Sequence, residues 1–273
     1  MAGRGPASAP GAYTTTGLAG MVARAGLCLL VAWPGLGPAW ASDITVREIV
    51  QLLAERRDGE RIDLSHRDLS FLDLSGLDLA SIGLAGANLY AADLTDASLR
   101  DADLRGAVLD RASIVRTDFT RADLTDARIR LPHGIGSPQF DATSAPVFAQ
   151  ARLVRARLVA RLDGADFRGA DLAGADLSPH GDTTQNATAR RSTLVGGDFR
   201  GARLDGAMLT EVIFRFCDFR QASLVGARLA GADLTGVRLA GADMRGADLS
   251  DADLSDVDLA TLAVGPPGGP EER

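Results

Sequence analysis

The sequence predicts an all-β solenoid in which the chain turns every five residues. Aligned on a central apolar residue, fourteen units run without a slip from Leu64 to Ile129, and fourteen more run from Leu194 to Leu259. The position two before each centre is mostly Ala, and Gly is frequent two after it. A period of five fits neither a helix nor simple strand alternation, and the glycines indicate a corner after each short extended piece.

Between the two runs the register continues through seven further units, with a one-residue shift between Leu158 and Leu162. The commonest spelling of the unit, A-D-L-x-G, resembles the pentapeptide-repeat family over about residues 60–264. This resemblance implies a right-handed quadrilateral parallel β-helix with four units per coil. The 35 units would then form nearly nine coils, about 40 Å long at roughly 4.8 Å per coil.

A short N-terminal capping helix is predicted within residues 42–59. Thr45 and Glu48 fit a capping box, Ile49 begins an apolar face, and Gly59 is expected to end the helix. Because the helix precedes the first coil, we expect it to cover the open N-terminal edge of the column.

The two ends of the repeat depart from the regular pattern. Before about Leu84 the small position holds larger residues, which predicts a widened first coil; they are Arg67, Leu72, Leu77 and Ile82. The other end runs into a Pro- and Gly-rich tail, residues 265–273, which is predicted to be disordered. An uncovered parallel edge invites pairing, so we expect an end-to-end homodimer, with a tail folded over the edge as the alternative.

The first 41 residues predict a signal peptide. An acid-free segment leads into an apolar stretch, Ala25 to Leu36, and Ala39-Trp40-Ala41 fits a cleavage site, so cleavage is expected after Ala41. The apolar stretch is too short to span a bilayer as a helix, and no membrane anchor is expected after signal removal. The start residue is either Met1 or Met21. The expected location is periplasmic or secreted.

Composition argues against several classes of function. The 29 basic residues, all arginine, face 36 acidic residues, and the net charge of -7 argues against direct binding of nucleic acid. The sequence contains no nucleophile beside a base, no phosphate loop and no Cys or His ligand cluster, so neither enzyme activity nor a cofactor is expected. Cys217 stands at the small position of its unit, where a buried thiol is expected.

Two interruptions of the repeat, residues 130–147 and 178–193, are the candidate interaction loops. Each contains Pro-His-Gly, and on a four-sided column the seven units between them bring the loops within about 8 Å along the axis. The candidate residues are His133, Asp141, His180 and Asp182. Imidazole and carboxylate together would suit zinc, but two exposed loop histidines are the favoured interpretation, and no metal is expected.

Outward charge gives a second candidate surface. Asp often precedes the centre, as at Asp68, Asp73 and Asp93, so stacked coils are expected to align carboxylates into stripes. Interspersed arginines should offset part of their repulsion; examples are Arg100, Arg105, Arg168, Arg200, Arg215 and Arg220. A solvated solenoid face is the favoured interpretation. The alternative is imitation of duplex DNA, which the resemblance implies through family members that protect DNA gyrase from quinolones.

The sequence therefore predicts a non-enzymatic interaction or structural scaffold that presents a rigid acidic solenoid surface outside the cytoplasm. Its partner would be an unidentified protein or envelope component. The alternative is a cytoplasmic DNA mimic that binds a DNA-binding enzyme such as DNA gyrase. The predicted export signal disfavours that alternative.

Overall fold

The repeat builds a column of stacked coils, seen in a computed structural model. Parallel bridges join each regular unit to the unit twenty residues further on, as from Asp63 to Gly83 and from Gly83 to Asp103. Four units therefore make one coil, which is the four-sided arrangement that the repeat predicts. The structure describes residues 43–57, 60–130, 143–179 and 191–258.

Two of every five side chains fill the interior, as predicted. Leu94 and Ala97 are typical of the central and small positions, and both are almost completely buried. Burial of each central side chain contributes roughly 1.5–3 kcal/mol. The backbone N–H of one coil donates to a carbonyl of a neighbouring coil, as from Leu94 to Ser113 at 2.8 Å, so stability accumulates by stacking.

Polar residues at the small position are satisfied by backbone carbonyls. Thr117 Oγ1 donates to Leu94 O at 2.8 Å, and Cys217 Sγ donates to Leu194 O at 2.8 Å. Cys217 is the buried thiol that the sequence predicts. Because burial raises the pKa of the Cys217 thiol, it is protonated at neutral pH and unreactive.

The corners use one turn geometry. Arg67 N–H donates to Leu64 O at 3.2 Å, and the intervening His66 has φ 61, which is the pattern of a type II turn. The first coil repeats this geometry at Phe71, Gly76 and Ser81, so its turns are regular, while its widening stays a prediction. Leu72 and Leu77 pack against the core there but are only half-buried.

Helix α1 spans Val46–Glu55 and precedes the column. Thr45 is its N-cap, and the predicted capping box with Glu48 is formed. The helix ends at Glu55 rather than at Gly59, because Arg56 is already extended and its guanidinium donates to Ala80 O at 3.0 Å. No helix in the described ranges is long and apolar enough to cross a membrane.

Two short strands are the longest extended segments among the described residues. Strand β1 spans Arg128–Arg130, strand β2 spans Arg157–Val159, and they pair in parallel with Arg128 opposite Arg157. They lie in consecutive coils, although the paired residues are separated by more than the usual twenty positions.

The last described coil is less well covered than the interior coils. Met244, Leu249 and Leu254 hold central positions there but are only partly buried, whereas Leu229 is completely buried. The predicted tail at 265–273 and the predicted signal peptide with its cleavage after Ala41 lie outside the described residues.

Candidate interaction surface

All three irregularities of the repeat fall on one edge of the column. The face that carries β1 and β2 is defined by residues that follow one another in register: Asp68, Asn88, Val108, Arg128, Arg157, Asp176, Met208, Arg228 and Asp248. The first interruption follows this face in one coil, the one-residue shift follows it in the next coil, and the second interruption follows it in the coil after that. We call the edge that follows this face the loop edge.

The loop edge departs from the regular corner in physical detail. Ala160 and Pro179 stand where other units have a positive φ, and neither adopts one. Pro179 cannot do so, because its ring fixes φ near -65°. The described chain leaves the column at Arg130 and at Pro179, two coils apart, or about 10 Å along the axis.

The column extends into the predicted interruptions from both sides. Arg130 belongs to β1, Val147 pairs with Asp118, and Thr193 pairs with Arg161, so these residues are parts of coils. Arg116 N–H donates to Ser144 O at 3.0 Å, which shows that the end of the first interruption closes a coil. The candidate residues His133, Asp141, His180 and Asp182 lie outside the described residues.

An arginine fixes the chain where it returns from the second interruption. Arg191 Nε donates to Glu211 O at 2.5 Å, and Arg191 Nη2 donates to Gly231 O at 2.9 Å. One guanidinium therefore joins corners of two successive coils. This contact was not predicted, because nothing in the local sequence indicates which carbonyls lie above residue 191.

The arginines of β1 and β2 were also missed by the sequence reading. Asp110 lies in the coil beside β1, and its Oδ2 forms an ion pair with Arg128 Nε at 2.7 Å. Its Oδ1 accepts a hydrogen bond from the backbone N–H of Arg130 at 3.1 Å. Arg157 forms no ion pair in the described part of the chain, and its Nε is buried without a hydrogen-bond partner. The available signal was Arg at the position that Asp usually holds, at residues 128, 152, 157 and 161.

Most outward aspartates have local structural partners. Asp63 Oδ1 accepts the N–H of Ser65 at 2.9 Å, and Asp93 Oδ1 accepts that of Thr95 at 2.9 Å, so the carboxylate braces its own corner. The six arginines named from the sequence all pair with aspartates, at N–O distances of 2.5 to 2.7 Å. This confirms that arginine offsets the acidic charge.

The expected carboxylate stripes are short. Asp166, Asp198 and Asp218 follow one another in register, and no longer run of aspartates occurs among the described bridges. Elsewhere other residues interrupt the series, as Arg152 does after Asp123 and Met208 does after Asp176. No group of three or more His, Cys, Asp or Glu side chains in the described ranges could hold a metal ion.

These contacts lower the pKa values of several aspartates. The hydrogen bond from Arg105 lowers the pKa of Asp103, and that from Arg220 lowers the pKa of Asp218. At the corners, hydrogen bonds from Arg116 lower the pKa of Asp96 in the same way. Each carboxylate therefore favours the folded state when it is ionised.

We predict that stability is lost in acid. The folded pKa values lie below the unfolded value of about 3.9, so the contribution is complete above that pH and disappears as pH falls through the folded values. The melting temperature, followed by circular dichroism, should be nearly constant between about pH 7 and pH 5 and should fall below about pH 4. A melting temperature at pH 3 equal to that at pH 7 would contradict this role for the aspartates.

The comparisons with known proteins agree with the repeat. The family model described as pentapeptide repeats matches in 8 copies, over residues 84–126, 147–178, 190–224 and 222–259. A search of curated proteins gives no match.

Three solved structures illustrate the similarity. HetL, a pentapeptide repeat protein involved in heterocyst differentiation regulation from the cyanobacterium Nostoc, is 27% identical, with TM-score 0.47 and coverage of 78% of this chain and 96% of that chain. QnrB1, a plasmid-mediated fluoroquinolone resistance protein, is 16% identical, with TM-score 0.45 and coverage of 73% and 90%. Rfr23 from the cyanobacterium Cyanothece is 20% identical, with TM-score 0.32 and coverage of 59% and 90%.

Proposed function

The chain belongs to the pentapeptide-repeat family, whose members form right-handed quadrilateral β-helices, and we propose that it is a non-enzymatic interaction scaffold of the periplasm or the extracellular space. Pentapeptide-repeat proteins are generally structural or interaction proteins. In this proposal the regular column supplies rigidity, and the loop edge contacts another protein or an envelope component.

The concentration of irregularities at one edge carries this proposal. Both interruptions and the short unit after Leu158 follow the same face in three successive coils. Arg191 spans two coils there, which holds one attachment point rigidly. A chain under selection only for a stable column has no reason to collect its departures at one edge, whereas a recognition surface needs such a place.

The same geometry favours a scaffold over a DNA mimic. Imitation of duplex DNA needs long, regularly spaced rows of free carboxylates, because DNA carries one charge per about 1.7 Å. Here the longest described row is Asp166, Asp198 and Asp218, and each of its members has an arginine within 2.6 Å. The carboxylates of this row are thus paired with arginines, although the chain keeps a net charge of -7.

Fractionation and affinity capture test the proposed function. We expect the periplasmic or culture fraction to contain a chain that begins at Ser42, and the mature protein to capture a partner from the envelope fraction. Capture should be lost when His133, Asp141, His180 and Asp182 are all replaced by Ala. It should be retained in Arg238→Ala, which changes the face opposite the one that carries β1 and β2. Full-length protein found only in the cytosol, together with inhibition of gyrase supercoiling, would favour the DNA mimic instead.

We also propose that α1 caps the first coil. Ile49 is buried at 1% exposure and belongs to the apolar cluster that fills the column, while Val50 on the other side of the helix is 44% exposed. Ile49→Asp should therefore undock the helix and reduce thermal stability, and Val50→Asp should change it little. Equal effects of the two substitutions would argue against the cap.

The partly buried last coil supports the proposed end-to-end homodimer. Met244, Leu249 and Leu254 would be covered by a second copy. Light scattering of the mature protein should give a mass of two chains that falls to one on dilution. A mass of one chain at high concentration would leave the folded-over tail as the explanation.

A further inference from the structure

Three arginines project from the two strands beside the loop edge. Arg128 and Arg157 are directly opposite each other in register, and Arg130 is opposite Val159. Neighbouring coils stand about 4.8 Å apart, so like charges are brought close together here. Many outward arginines elsewhere on the column have an aspartate at ion-pair distance, as Arg105 has in Asp103 at 2.7 Å.

The acidic residues next to this cluster are already engaged. Asp110 is occupied by Arg128 and by the N–H of Arg130. Asp176 follows Arg157 in register, and its Oδ1 accepts the N–H of Ser178 at 3.0 Å. Neither of these two carboxylates forms an ion pair with Arg157 or with the guanidinium of Arg130. Among the other described residues, none forms an ion pair with either arginine.

Arg157 is the most unusual of the three. Its Nε lies buried without a hydrogen bond. A buried donor without a partner is unfavourable, and a charged one more so, because its hydration is lost without replacement. Native structures satisfy nearly all such groups, so this exception marks Arg157 as a position that was not chosen for stability alone.

We propose that Arg157 and Arg130 bind carboxylates of an acidic peptide segment of a partner protein. The planar guanidinium offers two parallel donors to a carboxylate, and Arg157 as a whole is only partly buried, which leaves it open to a partner. This proposal rests on the scaffold function above and names the chemistry of the partner segment.

The charge of the molecule favours a short acidic peptide over a larger polyanion. The net charge of -7 and the aspartates of the other faces repel an extended nucleic acid or an anionic membrane. A short segment can contact the arginines of β1 and β2 without reaching those aspartates. Its carboxylates would also relieve the repulsion between Arg128 and Arg157.

Fluorescence anisotropy of a labelled oligoglutamate peptide tests the site on the full chain. We expect saturable binding at low salt that weakens as salt rises. In the double variant Arg130→Gln, Arg157→Gln the affinity should fall about tenfold, as expected for loss of charge-assisted hydrogen bonds. Arg228→Gln removes one charge from the same face three coils away from Arg157, and its affinity should stay within about twofold of wild type.

Further measurements separate the site from general electrostatics. Arg157→Lys keeps the charge without the planar fork and should bind more weakly than wild type. Arg157→Met should melt at or above the wild-type temperature, because it replaces the buried unpaired donor with an apolar group. A clear fall in melting temperature, no peptide binding by wild type, an equal loss in Arg228→Gln, or tighter binding of an oligonucleotide or of anionic vesicles would each overturn the proposal.

The outcomes for the site and for the function are distinguishable. A partner can be captured through the loops or another face even if oligoglutamate does not bind, in which case only the arginine site fails. Binding of oligoglutamate by protein that is found only in the cytosol would leave the arginine site standing and remove the proposed location.

Discussion

Phe167→Ala should destabilise the column by about 3–5 kcal/mol, the largest loss expected from a single substitution. Phe167 is the middle member of five phenylalanines that occupy one face in consecutive coils: Phe119, Phe148, Phe167, Phe199 and Phe219. Its ring is fully buried, and its centroid lies 4.9 Å from that of Phe148 and 4.8 Å from that of Phe199. Truncation therefore opens a cavity and removes two stacked contacts.

A solenoid cannot easily collapse around such a cavity. Each coil is fixed to its neighbours by backbone hydrogen bonds, such as Phe167 N–H to Asp198 O at 2.8 Å, so the walls of the cavity cannot approach one another freely. Residual cavity volume is what raises the cost of truncation. For this reason we expect Phe167→Ala to lie toward the upper part of the range.

Urea unfolding followed by circular dichroism measures this effect. Phe167→Leu keeps most of the volume and should cost about 1 kcal/mol. Phe216→Ala is the matched control, because Phe216 is 63% exposed and lies outside the stack. If Phe167→Ala unfolds at the same urea concentration as Phe216→Ala, the stack does not stabilise the column.

The sequence predicts the interior of this molecule well because the interior is periodic. Each position in the five-residue unit has one environment, so the burial of residues such as Leu94 and Ala97 follows from register alone. The capping box of Thr45 and Glu48 is equally local, since both of its members lie within one helical turn. Contacts that depend only on nearby sequence or on a fixed period are therefore accessible without a structure.

The loop edge is not accessible in this way. Asp118 pairs with Val147 and Asp166 pairs with Asp198, and neither separation is the regular twenty. How many residues of an interruption rejoin the column is set by coil closure in three dimensions, as the contact from Arg116 to Ser144 shows. Consequently the sequence could place the interruptions within two coils but could not bring Arg128 opposite Arg157.

Ala207→Leu should destabilise the column by about 1–3 kcal/mol through overpacking. Ala207 holds the small inward position of its unit and is completely buried. Ala175 and Ala227 hold the same position in the adjacent coils and are also completely buried. With coils only about 4.8 Å apart, three further carbon atoms can be fitted only by moving side chains or backbone.

The ends of the column provide the matched control. Ala252 holds the equivalent small position in the last described coil, where it is only partly buried, so Ala252→Leu should change stability by less than about 0.5 kcal/mol. The first coil already shows this tolerance, because Leu72 and Leu77 occupy the small position there without disturbing the turns. Thermal melts of the two variants should therefore differ clearly. Equal melting temperatures would mean that the interior coils have spare volume, and the preference for Ala would then need another cause.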